Sequence, residues 1–94
     1  DDANVAPIAK GAIGDAFAQL EQQQDALKYY ENAASMSSSD LTAPRFLLKA
    51  GITAINLGKS AIALKHFNTI IENYPKSPES KKAILYQGKA EAMQ

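Results

Sequence analysis

Glycine recurs at one fixed interval in this chain. Gly14, Gly51 and Gly88 stand 37 residues apart, and the residues around the first two keep the same spacing. Ile13, Gly14 and Phe17 superimpose on Ala50, Gly51 and Ala54. Further on, Ala26, Tyr30 and Ala33 superimpose on Ala63, Phe67 and Ile70. A sustained period constrains a fold more tightly than any local pattern. Each unit must be covered by its neighbours, because one unit alone cannot bury its apolar side.

Each unit reads as two helices and a turn. In residues 44–75, Phe46, Leu47, Ala50, Gly51, Ala54 and Leu57 recur at helical spacing, and Ala61, Leu64, Phe67, Ile70, Ile71 and Tyr74 do the same. Gly58 separates the two runs. Pro75 ends the second, since proline lacks a backbone donor and clashes with the preceding turn. The earlier unit places Ile8, Ala9, Ile13, Ala16, Phe17 and Leu20 on one helix face. After the polar break at residues 21–24 come Ala26, Leu27, Tyr30, Ala33 and Ala34. The serine-rich run at residues 35–40 ends this helix, because short hydroxyls compete for backbone hydrogen bonds. A fifth helix follows Pro75. Capping residues are expected at Asp2 or Asn4, at Asp40 or Thr42 ahead of Pro44, and at Ser77 ahead of Pro78. No strand signal is present. The expected fold class is all-α, a right-handed α-solenoid of antiparallel helical hairpins. It has five helices in a single domain over residues 1–94: a first repeat at about 4–38, a second at about 42–75 and a capping helix at about 78–94. In that arrangement Ile84 and Leu85 pack back on Leu64, Phe67 and Ile71.

Composition narrows the function. The chain has 94 residues, no cysteine and a single histidine. Thiol nucleophiles, disulfides and thiolate metal sites are excluded, and one histidine with scattered carboxylates does not make a zinc site. Asp1-Asp2 reads as a frayed terminus. His66 sits beside Phe67 and is expected to face outward as a surface histidine. The sequence shows no base–nucleophile pair, metal, cofactor or phosphate-cradling glycine loop, so an enzyme is not expected. Lys81, Lys82 and Lys89 with Tyr86 form only a small basic patch, and no nucleic-acid ligand is expected. No apolar run is long enough to span a membrane, so no membrane contact is expected of this segment. Net charge is zero but polarised. Residues 1–43 carry seven acids against Lys10 and Lys28, a balance of −5, and residues 44–94 carry the compensating +5. The start at Asp1 without methionine, and the end within a helical pattern, lead us to expect a fragment of a longer protein.

The repeated hairpins resemble the tetratricopeptide repeat. The residues that carry this resemblance are Ile13, Gly14, Phe17, Ala26, Tyr30 and Ala33 in the first unit. In the second they are Leu47, Gly51, Gly58, Ala63, Phe67 and Pro75. Ala54 stands where the pattern has an aromatic residue, and Glu21 where it has the turn glycine. The run Tyr74-Pro75-Lys76-Ser77-Pro78, followed by Ile84 and Gly88, resembles the link between repeats in bacterial envelope-associated members. That similarity implies a periplasmic or membrane-anchored parent, with a cytoplasmic one as the other option. The family implies a non-catalytic scaffold that binds a protein or peptide partner in a concave groove lined by the first helix of each hairpin. Carried over residue by residue, the groove candidates are Ile8, Gly11, Ala12, Asp15, Ala18 and Gln19. The second hairpin adds Arg45, Leu48, Lys49, Ile52, Ile55 and Asn56, and the last helix Lys82, Leu85, Tyr86 and Lys89. Leu48, Ile52 and Ile55 lie off the hairpin's core stripe, so they form a second apolar face, for a partner or for flanking helices of the same chain. The family's carboxylate-clamp pattern is not met, since Gly11 and Asp15 occupy its first positions. The alternative function is self-association through exposed end-helix faces.

Overall fold

In a computed structural model describing residues 2–94, with side chains from residue 6, the chain forms five α-helices: α1 (Asp2–Gln19), α2 (Gln23–Met36), α3 (Ala43–Asn56), α4 (Ser60–Asn73) and α5 (Glu79–Ala92). No strand occurs among the described residues. Each helix packs on the next, and α3 also packs on α5. Helices α1, α3 and α5 make one layer and α2 and α4 the other. The Cα extents of 40 × 32 × 16 Å fit this arrangement. Two helix layers with axes about 8–10 Å apart and Cα radii of about 2.3 Å give a slab of this thickness.

The two interior turns repeat bond for bond. Gln22 N–H donates to the Phe17 carbonyl at 2.9 Å, and Lys59 N–H donates to that of Ala54 at 2.8 Å. Glu21 N–H donates to Ala18 at 3.0 Å, and Gly58 N–H to Ile55 at 2.9 Å. These paired bonds from the residues past the helix end form the Schellman arrangement, which needs a left-handed residue. Gly58 supplies it at φ 73°, and Glu21 is driven to φ 59°.

Small residues and rings set the packing. Ala26, Ala33, Ala50, Ala54, Ala63, Ala83 and Ala90 are fully buried with Phe67 and Ile70. A Cβ on Gly14 would lie 2.7 Å from the Tyr30 ring, and one on Gly51 2.4 Å from the Phe67 ring. Each glycine therefore lets the aromatic ring of its own hairpin lie against helix backbone. Between repeats, the Phe46 ring occupies the space beside Gly11. Phe17 stacks on Tyr29 at 5.5 Å, and Tyr86 stacks on Phe67 at 5.8 Å.

Several expectations are corrected. The buried face of α5 is Ser80, Ala83 and Ala90, while Ile84 and Leu85 are 56 % and 73 % exposed. Alanine suits the close approach of α5 to α4 better than a branched side chain. The Ser77 hydroxyl donates to the Tyr74 carbonyl at 2.8 Å and does not cap α5, which starts after Pro78. Thr42 precedes α3 but makes no side-chain capping bond. Pro7 lies buried within α1, whose helix begins at Asp2. The side chains of Asp1, Asp2 and Asn4, and with them the expected terminal cap, lie outside the described residues.

A non-glycine residue held left-handed costs about 1–2 kcal/mol, part of which glycine returns as extra freedom in the unfolded chain. Glu21→Gly is expected to stabilise the domain by roughly 0.5–1 kcal/mol and to raise its melting temperature by a few degrees. Gly58→Ala is expected to lower it. Thermal denaturation of the two variants by circular dichroism checks both signs.

Candidate functional site

The outward side of the α1–α3–α5 layer is the candidate site. On α3 a stripe at helical spacing runs Arg45, Lys49, Ile52, Asn56. One period earlier it is Ile8, Ala12, Asp15, Gln19, and one period later Lys82, Tyr86, Lys89, Met93. Eleven of the sixteen predicted groove residues therefore share one surface: Ile8, Ala12, Asp15, Gln19, Arg45, Lys49, Ile52, Asn56, Lys82, Tyr86 and Lys89. Gly11, Ala18 and Leu85 stand off it, in the same register as Leu48 and Ile55. Leu48 and Ile55 do not join it. Each is only 9 % exposed and belongs to the hydrophobic core cluster. They fall off the outward stripe by about a quarter turn, and the flanking helices of the same chain cover them. The second apolar face is thus mainly an internal one, with Ile52 left half-exposed.

A polar cluster crosses this surface. Tyr30, from α2, donates its hydroxyl to Asp15 Oδ1 at 2.5 Å, and Lys49 Nζ reaches the same oxygen at 2.9 Å. Lys49 Nζ also lies 5.7 Å from the centre of the Tyr30 ring. Partial burial pushes the Asp15 carboxyl up. The hydrogen bonds from Tyr30 and Lys49, with the charges of Lys49 and Arg45, outweigh this and hold it below the ordinary carboxylate value. Burial and the neighbouring Asp15 carboxylate together push the Tyr30 hydroxyl upward. The cluster joins α1, α2 and α3 and neutralises Lys49. Among the described residues, no salt bridge engages Arg45, Lys82 or Lys89, and these three leave the surface positive.

His66 is the clearest departure from the sequence reading. It is buried, 9 % exposed, and its Nε2 lies 2.6 Å from Glu31 Oε2. The pair ties α4 to α2 across the repeat boundary. A comparable link joins α4 to α5, where Gln87 Nε2 donates to Asn68 Oδ1 at 2.6 Å. Sequence reasoning missed both because single-helix periodicity contains no cross-repeat partner. The one available signal was the 35-residue separation of Glu31 and His66, close to the period. No group of three potential metal ligands gathers among the described residues. None of the described helices is long and apolar enough to cross a membrane. A cavity of about 340 Å³ opens between the two inter-repeat loops, walled by Leu41, Tyr74, Pro75 and Pro78.

Two layers of antiparallel hairpins, related by a fixed period and locked ring to glycine, define a helical-repeat solenoid. Residues 46–77, which cover most of α3 and all of α4, match the family model of the tetratricopeptide repeat. Repeats of this family are non-catalytic scaffolds that mediate protein–protein interaction. No curated protein and no solved structure matches the chain.

A carboxylate with a lowered value stabilises the fold at pH above its unfolded value of about 3.9. That contribution disappears as pH falls through the lower folded value. Urea midpoints measured from pH 7 to pH 2 are expected to fall less steeply for Asp15→Asn than for the parent chain. At pH 7 the variant is expected to be less stable by about 1 kcal/mol, since it keeps an acceptor for Tyr30 but loses the charge.

Proposed function

We propose that this chain is a scaffold that binds an acidic, partly apolar segment of a protein partner across the outward stripe of α1, α3 and α5. The observation that carries the reading is the charge of that stripe. Among the described residues, Arg45, Lys82 and Lys89 are exposed without ion-pair partners, while the stripe's one acid, Asp15, is consumed by Lys49. The apolar contribution comes from Ile8 and Ile52 on the stripe and from Leu85 at its edge, about a quarter turn off it, of which Leu85 is the most exposed. Charges of one sign on a surface steer an oppositely charged partner and set its register. An apolar centre with a polar rim supplies affinity. Because Ile52 also packs on the core, Leu85 is the better residue to alter.

A second reading, self-association, draws on a separate observation. Ile13 on α1, and Ile84 and Leu85 on α5, leave apolar side chains exposed on the two end helices of the stack.

One set of experiments separates the readings. Photo-crosslinking residues placed at Gln19, Asn56 and Lys82 are expected to capture one common partner, and the same residues at Asn32 and Lys65 on the α2–α4 layer are not. Leu85→Asp combined with Lys82→Glu is expected to weaken capture at least about tenfold, or roughly 1.4 kcal/mol, with an unchanged melting temperature. Light scattering over a concentration series is expected to give a constant monomer mass. A mass that rises with concentration supports self-association instead.

A further inference from the structure

The outward stripe does not stop at Arg45 and Lys82. Ala43 N–H donates to the Ser39 carbonyl at 3.0 Å and Phe46 N–H to that of Thr42 at 3.1 Å, so the chain already turns as a helix ahead of α3. Leu41 therefore stands one turn before Arg45. Pro78 has helical dihedrals, φ −62° and ψ −23°, and stands one turn before Lys82 in the same register. Both residues also wall the cavity between the two inter-repeat loops. The cavity thus lies at the end of the stripe, next to two of its free cations. Its volume of about 340 Å³ falls within the range of ligand pockets, about 300–1,000 Å³. Leu41 is 79 % exposed, the most exposed large apolar side chain among the described residues.

We propose that this cavity is the anchor subsite of the partner surface: it takes one aromatic side chain of the acidic segment, whose carboxylates lie over Arg45 and Lys82. The assignment rests on the reading of the stripe as that surface, and the chemistry of the walls separates the two roles. Proline has no backbone N–H to offer, and the Ser77 hydroxyl is spent on the Tyr74 carbonyl. Asp40 and Lys76, of opposite sign, both line the cavity and leave it without net charge. The cavity therefore suits an apolar group, and the carboxylates belong to the cations one turn away. Tyr74 on the wall favours an aromatic occupant, since ring pairs gain more than the area they bury. Pro75 and Pro78 hold the backbone at fixed φ, so the cavity exists before the partner arrives and costs little to order. A buried ring with charges at its margin is where interface energy concentrates.

Three labelled, amidated nonapeptides test this. The first surrounds one central phenylalanine with glutamates, the second has alanine in the centre, and the third keeps the phenylalanine but has glutamine for every glutamate. Fluorescence anisotropy at low salt is expected to show the first binding at least about tenfold tighter than either of the others. Leu41→Ala is expected to weaken the first peptide about threefold or more. It is expected to leave the second peptide and the melting temperature unchanged. Arg45→Glu is expected to weaken both acidic peptides. Equal binding of the phenylalanine and alanine peptides, lost in Arg45→Glu, overturns the subsite and leaves the charged surface standing. A phenylalanine preference undiminished by Leu41→Ala places the ring elsewhere and also overturns it. A preference that ignores both Arg45→Glu and the glutamine replacement overturns the surface reading, and with it the anchor role of the cavity. Absence of binding by all three peptides overturns both.

Discussion

The ring of Phe67 lies against the bare backbone of α3 at Gly51, and the rest of the molecule follows from that contact. Helix axes can approach closely only where side chains are absent or small. The glycine brings α4 down onto α3. The alanines at 50, 54 and 63 let the approach continue along both helices, and Tyr86 of α5 closes over the far face of the ring. The same seat at Gly14 and Tyr30 builds the first hairpin. Because both hairpins have one internal geometry, they present equivalent surfaces and stack with a constant offset. The outward stripe of α1, α3 and α5 is a consequence of this regularity.

Polar groups then tie the stack together where packing alone is non-directional. Asp15 gathers Tyr30 and Lys49 from two other helices, and His66 meets Glu31 across the repeat boundary. Both links fix the rotation of one hairpin relative to the next. They also consume charges that would otherwise serve a ligand. Asp15 would repel an acidic partner if it stood alone. Held by Lys49 and Tyr30, it leaves Arg45, Lys82 and Lys89 to define the sign of the surface.

Much of the architecture was legible in the sequence, because the period is written in residues whose size the packing dictates. Glycines 37 apart, with rings sixteen residues after the first two, state the hairpin geometry directly. The remaining misreadings have two physical causes. The first is ranking residues by hydrophobicity where the structure selects for size. Ile84 and Leu85 were expected inside, but Ala83 and Ala90 take the buried positions on α5. The second is that a single helix carries no record of its neighbours. His66 looked like a surface residue because its partner lies a repeat away, and Leu48 and Ile55 could be read as facing a partner or flanking helices because one helix does not show which; the structure buries both in the core. Glu21 is the converse case. Its departure from the glycine pattern was visible, and the backbone adopts the left-handed turn regardless.

The central claim is that Gly51 is retained for the Phe67 ring and for no other reason. A double-mutant cycle on the full chain tests it, with unfolding free energies for Gly51→Ala measured in the Phe67 background and in a Phe67→Val background. Alanine should destabilise the parent by about 1–3 kcal/mol, as overpacking does. It should be neutral or stabilising by up to about 1 kcal/mol once the ring is gone, as helix propensity alone predicts. An equal loss in both backgrounds, with no coupling between the sites, would contradict the account.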